Sequence, residues 1–323
     1  MRLAVLSAAL LLASSVSAIE ADADQPQWLE QLSEKFSLSN TELEAAVEQA
    51  EYQQGIIDAM TRPAEAKPWS AYRPIFLTEK RLNQGVEFWQ EHEELLEKAQ
   101  QELQVPPQII TAIIGVETFY GTHMGAHKVL DALYTLGFHY PPRGEFFRSE
   151  FANYLVLAKE QDWELTEQKG SYAGAMGMGQ FIPSSYRHYA VDFDGDGERN
   201  LFDATDAIGS VANYFHEHHW QLDEDVAYPA TVTDTEKAQA LLSEERQLTH
   251  SWAELAAAGI IVEDELAADT PVKLIELAGA KGPEYWVVRH NFYVITRYNH
   301  SPLYAMAVYQ LSEQLKQAYE NSL

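Results

Sequence analysis

The chain contains no cysteine among its 323 residues. That excludes disulfides, thiol nucleophiles, thiolate metal sites and a lipid on a mature N-terminal cysteine. Positive charge is scarce as well: 22 Lys plus Arg stand against 49 Asp plus Glu, a formal charge of −27. So acidic a surface argues against nucleic acid as a partner and leaves solubility as its plain consequence. Beyond the N-terminal leader no stretch is apolar and long enough to cross a bilayer. No His-Glu-x-x-His spacing accompanies His216, His218 and His219, so they are expected to be solvated and to interact with a helix end rather than to bind zinc. The glycine-rich run at 170–179 lacks a Gly-Lys-Ser/Thr ending, which disfavours nucleotide binding. There are no repeats and no low-complexity segment, and no organic cofactor is expected.

What is present is ample for a core: 46% hydrophobic and 11% aromatic residues, enough for two or three lobes. Residues 1–18 read as an export signal, with Arg2 as the positive start, an apolar run over 3–12 and Val16-Ser17-Ala18 as the cleavage site. An exported protein is the expectation. Helical spacing covers 28–59, then 88–103, where His92 reads as a core or boundary residue. Between them 61–74 is broken by Pro63, Pro68 and Pro74 and reads as a loop or extended arm. Further helices are expected over 131–138, 145–158, 181–190 and 203–219, and again from 289 to 320. From 226 to 283 the texture changes, with strands at 226–232, 272–278 and 285–288 around a helix at 251–258. The fold class is therefore α+β, predominantly helical, with a small inserted β-rich lobe.

Residues 105–121 predict one helix, opened by Pro106 and Pro107 and closed by Gly121 in a left-handed conformation. Ile110, Ile113, Ile114 and Glu117 share one face. An apolar wall disfavours the charged carboxylate, and a carboxylic acid still protonated near neutral pH is what breaking a glycosidic bond requires. The competing reading is a buried Glu tied to an Arg or to backbone N–H groups. Asp131, Glu145, Glu150 and Asp162 are candidates by chain position for a second carboxyl, but none sits in a motif.

The sharpest local signal is residues 192–203. Asp192, Asp194 and Asp196 stand at positions 1, 3 and 5, with Gly197 at 6 and Glu198 at 7, the pattern of a calcium loop. The usual Glu at position 12 is replaced by Asp203, and Asp206 lies one helical turn further on. An acidic turn without an ion is the alternative. Aromatic residues form the second signal: Tyr72, Tyr120, Tyr140, Tyr172, Phe181, Tyr214, Tyr298 and Tyr304 fall in or near the Glu-bearing and glycine-rich segments. Such rings suit the apolar faces of sugars. Asn291, Asn299 and Gln180 could hold hydroxyl and acetamido groups.

Five segments occur in one order: Gly-Val-Glu-Thr-Phe-Tyr-Gly (115–121), Gly-Ser-Tyr-Ala-Gly-Ala-Met-Gly-Met-Gly-Gln-Phe-Ile-Pro-Ser-Ser-Tyr (170–186), the Asp-rich loop with Asn200-Leu201, Asp-Ala-Ile-Gly-Ser-Val-Ala-Asn-Tyr-Phe (206–215) and Asn-Phe-Tyr-Val-Ile-Thr-Arg-Tyr-Asn-His-Ser (291–301). Together they resemble the lytic murein transglycosylase B family, over nearly all of the chain from Trp69 onward. The resemblance implies a lysozyme-like core with an N-terminal helical lobe: signal peptide 1–18, helical lobe 19–104, catalytic core with calcium loop 105–222, β-rich lobe 223–283 and a helical return 284–323. It implies that the substrate is the glycan strand of peptidoglycan, with other cell-wall enzymes as further partners. It assigns Glu117 as sole acid/base, cleaving between N-acetylmuramic acid and N-acetylglucosamine with a 1,6-anhydro end as product. It places Ser171, Gln180, Tyr214, Tyr298, Asn299 and Tyr304 around the reacting sugars, with Tyr72 and Arg143 extending the cleft. It makes Asp192, Asp194, Asp196, Glu198 and Asp206 the ligands of a structural calcium. Well-known members are lipoproteins anchored through a cysteine; this chain has no cysteine, so a soluble periplasmic form is the expectation. A goose-type lysozyme hydrolase and a non-catalytic, calcium-stabilised wall-binding protein are the alternatives.

Overall fold

The computed structural model describes residues 25–61 and 67–322; the leader expected at 1–18 lies outside them. The chain begins with α1 (Gln25–Phe36), α2 (Asn40–Gln49) and α3 (Gln54–Met60). One continuous helix was expected here. The chain breaks instead at Ser37, which is left-handed (φ 56°), and Ser39 then opens α2 with a reciprocal capping box to Glu42. The arm expected over 61–74 contains α4 (Trp69–Phe76). Pro74 sits inside this two-turn helix; Trp69 and Tyr72 are buried and stacked at 6.5 Å, so packing outweighs the proline penalty. The helix expected over 88–103 is two helices, α5 (Glu79–Glu91) and α6 (Glu93–Leu103). They part at His92, whose backbone leaves the helical region (φ −115°, ψ 25°) while its ring lies edge-on to Phe88 at 4.5 Å.

The Glu-bearing helix is α7 (Pro107–Thr118). It is buried on almost every side, Ile109, Ala112 and Val116 as well as Ile110, Ile113 and Ile114, as befits a central helix. Around it pack α5, α6, α11 (Ala204–Glu217) and the last helix, α15 (Pro302–Glu320). Between α7 and α11 come the short strand β1 (His127–Lys128), α8 (Val129–His139), a 3-10 turn at Pro141–Arg143, α9 (Gly144–Glu160), β2 (Lys169–Gly170) and α10 (Pro183–Tyr189). The two strands pair antiparallel, Lys128 opposite Lys169.

After α11 the chain builds an antiparallel sheet of β3 (Ala227–Val232), β4 (His250–Ser251), β5 (Ile260–Ile261), β6 (Pro271–Gly279) and β7 (Gly282–Val288), in the order β4-β6-β7-β3-β5. This is the small β lobe anticipated from its texture, with two short helices, α12 (Thr235–Leu241) and α13 (Trp252–Ala257); α12, β4 and β5 went unanticipated. Tyr228, Ala238, Leu255, Leu274 and Val287 form its own apolar cluster. Ile275, Leu277 and Val288 join the main core instead. The Trp69 indole N–H donates to Glu284 on β7 at 3.1 Å. α14 (His290–Tyr298) then leads back to the main core.

Candidate active site

Glu117 stands one residue before the end of α7, and the backbone beyond it is unusual. Phe119, Tyr120 and Gly121 are all left-handed, at φ 53°, 56° and 80°. The helix therefore closes at Phe119, not at Gly121 as its glycine suggested. Two consecutive non-glycine residues in this region cost on the order of 1–2 kcal/mol each, so something must hold them. Thr118 does part of this: its Oγ1 accepts the Gly121 N–H at 3.0 Å and donates to the Met178 carbonyl at 2.9 Å. Tyr120 does the rest, donating its hydroxyl to the Arg81 carbonyl at 3.0 Å. Its ring lies so close to α7 that a Cβ on Gly115 would come within 2.6 Å of it. Arg81 completes the brace, donating to the carbonyls of Gly115, Ile75 and Phe76 at 3.0, 2.7 and 2.9 Å. Neither Arg81 nor Thr118 drew attention in the sequence, because a brace formed by carbonyl bonds leaves no motif.

The Glu117 carboxyl is half-buried, and burial pushes its pKa up to about 7; the hydrogen bond from Tyr304 pulls it the other way. That bond runs from the Tyr304 hydroxyl to Oε1 at 2.6 Å. Burial, then the charge of Glu117, raise the Tyr304 hydroxyl well above its ordinary range, so it stays a donor. Tyr72 is buried and its charge also bears on Tyr304. Tyr298 donates to the Gly179 carbonyl, and a Cβ on Gly179 would lie 2.9 Å from that hydroxyl. This is why the glycine-rich loop can approach α14. Tyr214 donates to the Arg297 carbonyl at 2.6 Å, and its ring meets Tyr298 edge-on at 4.8 Å.

The loop itself is self-bonded. Ser171 Oγ accepts the N–H groups of Ala173 and Ala175 at 3.2 and 3.1 Å. Gln180 is left-handed (φ 53°), and its side-chain amide donates to Gly177 and Met124 carbonyls at 3.0 and 3.2 Å. Asn299 accepts the Ser301 N–H at 3.0 Å, shaping the turn between α14 and α15. The structure thus gathers Glu117, Tyr304, Tyr72, Tyr298, Tyr214 and the loop bearing Gln180. Arg143 stands apart, its guanidinium over the rings of Phe146 and Phe147 at 4.3 and 5.1 Å. Asn291, expected to hold substrate, is fully buried and bonded to Gln221 and Glu224 backbone instead. His218 makes the expected helix-end contact, closing α11 with its Nδ1 2.8 Å from the Tyr214 carbonyl, but it is half-buried rather than solvated and stacks on Tyr214 at 4.2 Å.

The candidates for a second carboxyl are occupied or exposed. Asp131 is buried and accepts the Glu51 N–H at 3.0 Å. Glu150 is buried and accepts the Ser184 N–H at 2.8 Å. Glu145 and Asp162 are exposed. A cavity of about 670 Å³ lies elsewhere, behind α14 against the β lobe, lined among others by Lys273, Phe292 and His300.

In the acidic loop, carboxylate oxygens of Asp192, Asp194 and Asp206 lie within 4.8 Å of one another. Asp192 accepts N–H groups of Gly195, Asp196 and Gly197 at 2.7, 3.1 and 2.9 Å. Asp206, buried on the first turn of α11, accepts from Phe193 and Asn200 at 2.8 and 2.6 Å. Asp203 caps α11, accepting the Thr205 N–H at 2.7 Å, so it is Asp206 that joins the cluster. Asp196 and Glu198 are exposed and their carboxyls fall outside it. Three hard oxygen donors with their remaining lone pairs turned to backbone N–H suit a calcium-sized cation.

Residues 22–313 match the family described as Transglycosylase SLT domain. The chain is 42% identical over 298 residues to the membrane-bound lytic murein transglycosylase B of Escherichia coli (strain K12), covering 89% of this chain and 81% of that protein. Among solved structures it is similar to the soluble lytic transglycosylase SltB1 from Pseudomonas aeruginosa, at 47% identity and a TM-score of 0.84, covering 91% of this chain and 98% of that one. It is also similar to the Escherichia coli lytic transglycosylase Slt35 in complex with calcium, at 40% identity and a TM-score of 0.83, covering 92% and 94%.

Proposed function

The chain belongs to the Transglycosylase SLT domain family, and from that premise we propose how its own residues carry out the reaction. It is a lytic transglycosylase acting on peptidoglycan. One observation carries the mechanism: a single carboxyl, Glu117, kept protonated up to about pH 7 by burial, while Asp131 and Glu150 are committed to backbone N–H groups. In the first step Glu117 gives its proton to the oxygen joining N-acetylmuramic acid to N-acetylglucosamine. The C1–O bond breaks, N-acetylglucosamine leaves with a free 4-hydroxyl, and the 2-acetamido group steadies the positive centre. In the second, the Glu117 carboxylate takes the proton of the muramoyl C6 hydroxyl, and O6 bonds to C1. Glu117 ends protonated again, by the C6 hydroxyl's proton in place of the one that left on the 4-hydroxyl, and no water is consumed. Because the nucleophile is part of the substrate, positioning supplies much of the rate.

Tyr304 orients the carboxyl and steadies its ionised state between the two steps. Tyr298, Tyr214, Tyr72, Gln180, Ser171 and Asn299 hold the sugars, and Arg143 serves the outer cleft. Asp192, Asp194 and Asp206, with Asp196 and Glu198 on the same loop, hold a calcium ion that pins the loop to α11. The leader read from residues 1–18 of the sequence and the location of the substrate support a periplasmic enzyme. Mass spectrometry of peptidoglycan digested in H₂¹⁸O tests the reading: unlabelled 1,6-anhydro ends are expected, and ¹⁸O-labelled reducing ends would make the enzyme a hydrolase.

A further inference from the structure

The aromatic cluster does not stop at the rings that surround Glu117. Tyr298 meets Tyr214 at 4.8 Å, Tyr214 meets Tyr189 at 4.6 Å, and His218 stacks on Tyr214 at 4.2 Å with planes 21° apart. Tyr189 and His218 are half-buried and lie on different helices, α10 and the end of α11. Arg297 belongs to this group. Its carbonyl receives the Tyr214 hydroxyl at 2.6 Å, and its positive charge is felt at Tyr189, Tyr214 and His218.

Arg297 is half-buried yet uncommitted. Arg81 is bonded to three carbonyls, Arg187 and Arg199 share Glu160, and Arg289 pairs with Glu224. Among the described residues the Arg297 guanidinium has neither a hydrogen bond nor an ion pair. Glu217, whose charge also reaches Tyr189 and His218, lies beyond ion-pair distance of it. In a chain with 49 acidic and 22 basic residues, a spare guanidinium whose charge reaches this ring cluster is conspicuous. Burial pushes His218 below its ordinary range, so near neutral pH the cation of the group is Arg297. Partial desolvation makes an unpaired charge costly. A planar carboxylate answers it with two parallel hydrogen bonds, while the rings supply an apolar bed for whatever carries that carboxylate.

We propose that Arg297, beside Tyr189 and Tyr214, receives a carboxylate on the muramoyl side chain of peptidoglycan, so that the enzyme reads the substituent as well as the sugar. The proposal rests on the substrate class assigned above. Two sources share the chemistry: a carboxylate of the stem peptide, or the lactyl carboxylate left when that peptide is removed.

Three glycan substrates separate the possibilities: strands bearing stem peptides, strands whose stem carboxylates are amidated, and strands stripped by an amidase so that the lactyl carboxylate is free. Full-chain protein, Arg297→Gln and Arg297→Lys are compared for KM and kcat. On peptide-bearing strands Arg297→Gln should raise KM about tenfold, corresponding to about 1.4 kcal/mol, with kcat changed less than about twofold. Arg297→Lys should fall between, and its melting temperature should match the parent. On amidated strands the three proteins should converge. A KM defect confined to peptide-bearing strands identifies the stem carboxylate as ligand; one seen only on stripped strands identifies the free lactyl carboxylate. An equal defect on amidated strands, or none on any strand, overturns the proposal. The KM comparison is read from whatever ends are formed, so reducing ends in place of anhydro ends would sink the mechanism above and leave this inference standing.

Discussion

Glu117 meets one hydrogen-bond donor, the Tyr304 hydroxyl at 2.6 Å. Asp192 meets three, the backbone N–H groups of Gly195, Asp196 and Gly197. The outcomes are opposite. Burial takes the Glu117 carboxyl up to about 7, and one hydroxyl does not bring it back. At Asp192 desolvation is the largest single influence and also pulls upward, but the three N–H groups and a side-chain bond with Asp194 together outweigh it and hold the carboxyl below its ordinary range. The same functional group thus becomes a proton carrier in one place and a fixed negative charge in the other. Burial and donor number decide together: Glu117 is half-buried with one donor, Asp192 exposed with three. A helix end supplies none to a side chain on its inner face; a loop of Asp and Gly folded around its own first residue supplies several.

The widest test of this contrast removes the proton carrier. Glu117→Gln keeps the shape and the Tyr304 contact but cannot transfer a proton. Anhydro-end release should fall by about 10³-fold, within the ~10²–10⁴ range of lost acid–base catalysis. Asp192→Asn, assayed below its melting temperature, should retain turnover per folded molecule to within about threefold, since its charge serves the loop. Comparable losses in the two variants would dissolve the distinction between carrier and anchor.

The anchor should instead show itself in stability. Asp192, Asp194 and Asp206 crowd three carboxylates together, and burial followed by that crowding raises the Asp206 carboxyl. A divalent cation relieves the repulsion. Saturating calcium should stabilise by about 3 kcal/mol, seen in differential scanning calorimetry as a melting point on the order of 5–10 °C above that in chelator. Asp206→Asn should abolish most of that difference. An unchanged melting point in chelator would return the loop to the status of an acidic turn.

Glu117 makes the converse contribution to stability. Its folded pKa of about 7 lies above the ordinary 4.5, so between those values the folded protein holds a proton that the unfolded chain has lost. Stability is complete below about pH 4.5 and declines as pH rises through 7. Glu117→Gln removes that decline. The variant should gain about 2 kcal/mol over the parent at pH 8 and almost nothing at pH 4.5, measured by urea unfolding at the two pH values. A gain equal at both would mean that burial leaves the carboxyl unshifted.

Both carboxylates were visible in the sequence for local reasons: Glu117 through isoleucines at helical spacing, Asp192 through its alternating aspartates. What surrounds Glu117 was less so. Tyr304 lies 187 positions away; it stood among the aromatic candidates and again in the family resemblance, but that it touches Oε1 is a fact of tertiary packing that periodicity cannot reach. The left-handed Phe119 and Tyr120 were hidden because Gly121 offered the ordinary place for such a residue. Prolines at 63, 68 and 74 concealed α4, since packing of Trp69 and Tyr72 decides there rather than propensity. Arg297 was passed over for a related reason. An arginine is conspicuous only when its missing partner is known, and that requires every neighbouring side chain to be in place.

The finest test acts on the donor count itself. Tyr304→Phe takes away the one hydroxyl that favours the ionised Glu117, leaving burial unopposed. A hydrogen bond to a charged group contributes on the order of 1.5 kcal/mol, and one pKa unit corresponds to about 1.36 kcal/mol. The Glu117 carboxyl should therefore move above 7 by about one unit. In a pH profile of kcat/KM from pH 5 to 9, the limb that reports loss of the catalytic proton should shift upward by that amount. Asp192 gives the direction: hydrogen-bond donors lower a carboxyl, so removing the last donor from the half-buried Glu117 should raise it further. A limb that stays in place would mean that Tyr304 serves the sugar and not the acid, and that burial alone sets the proton on Glu117.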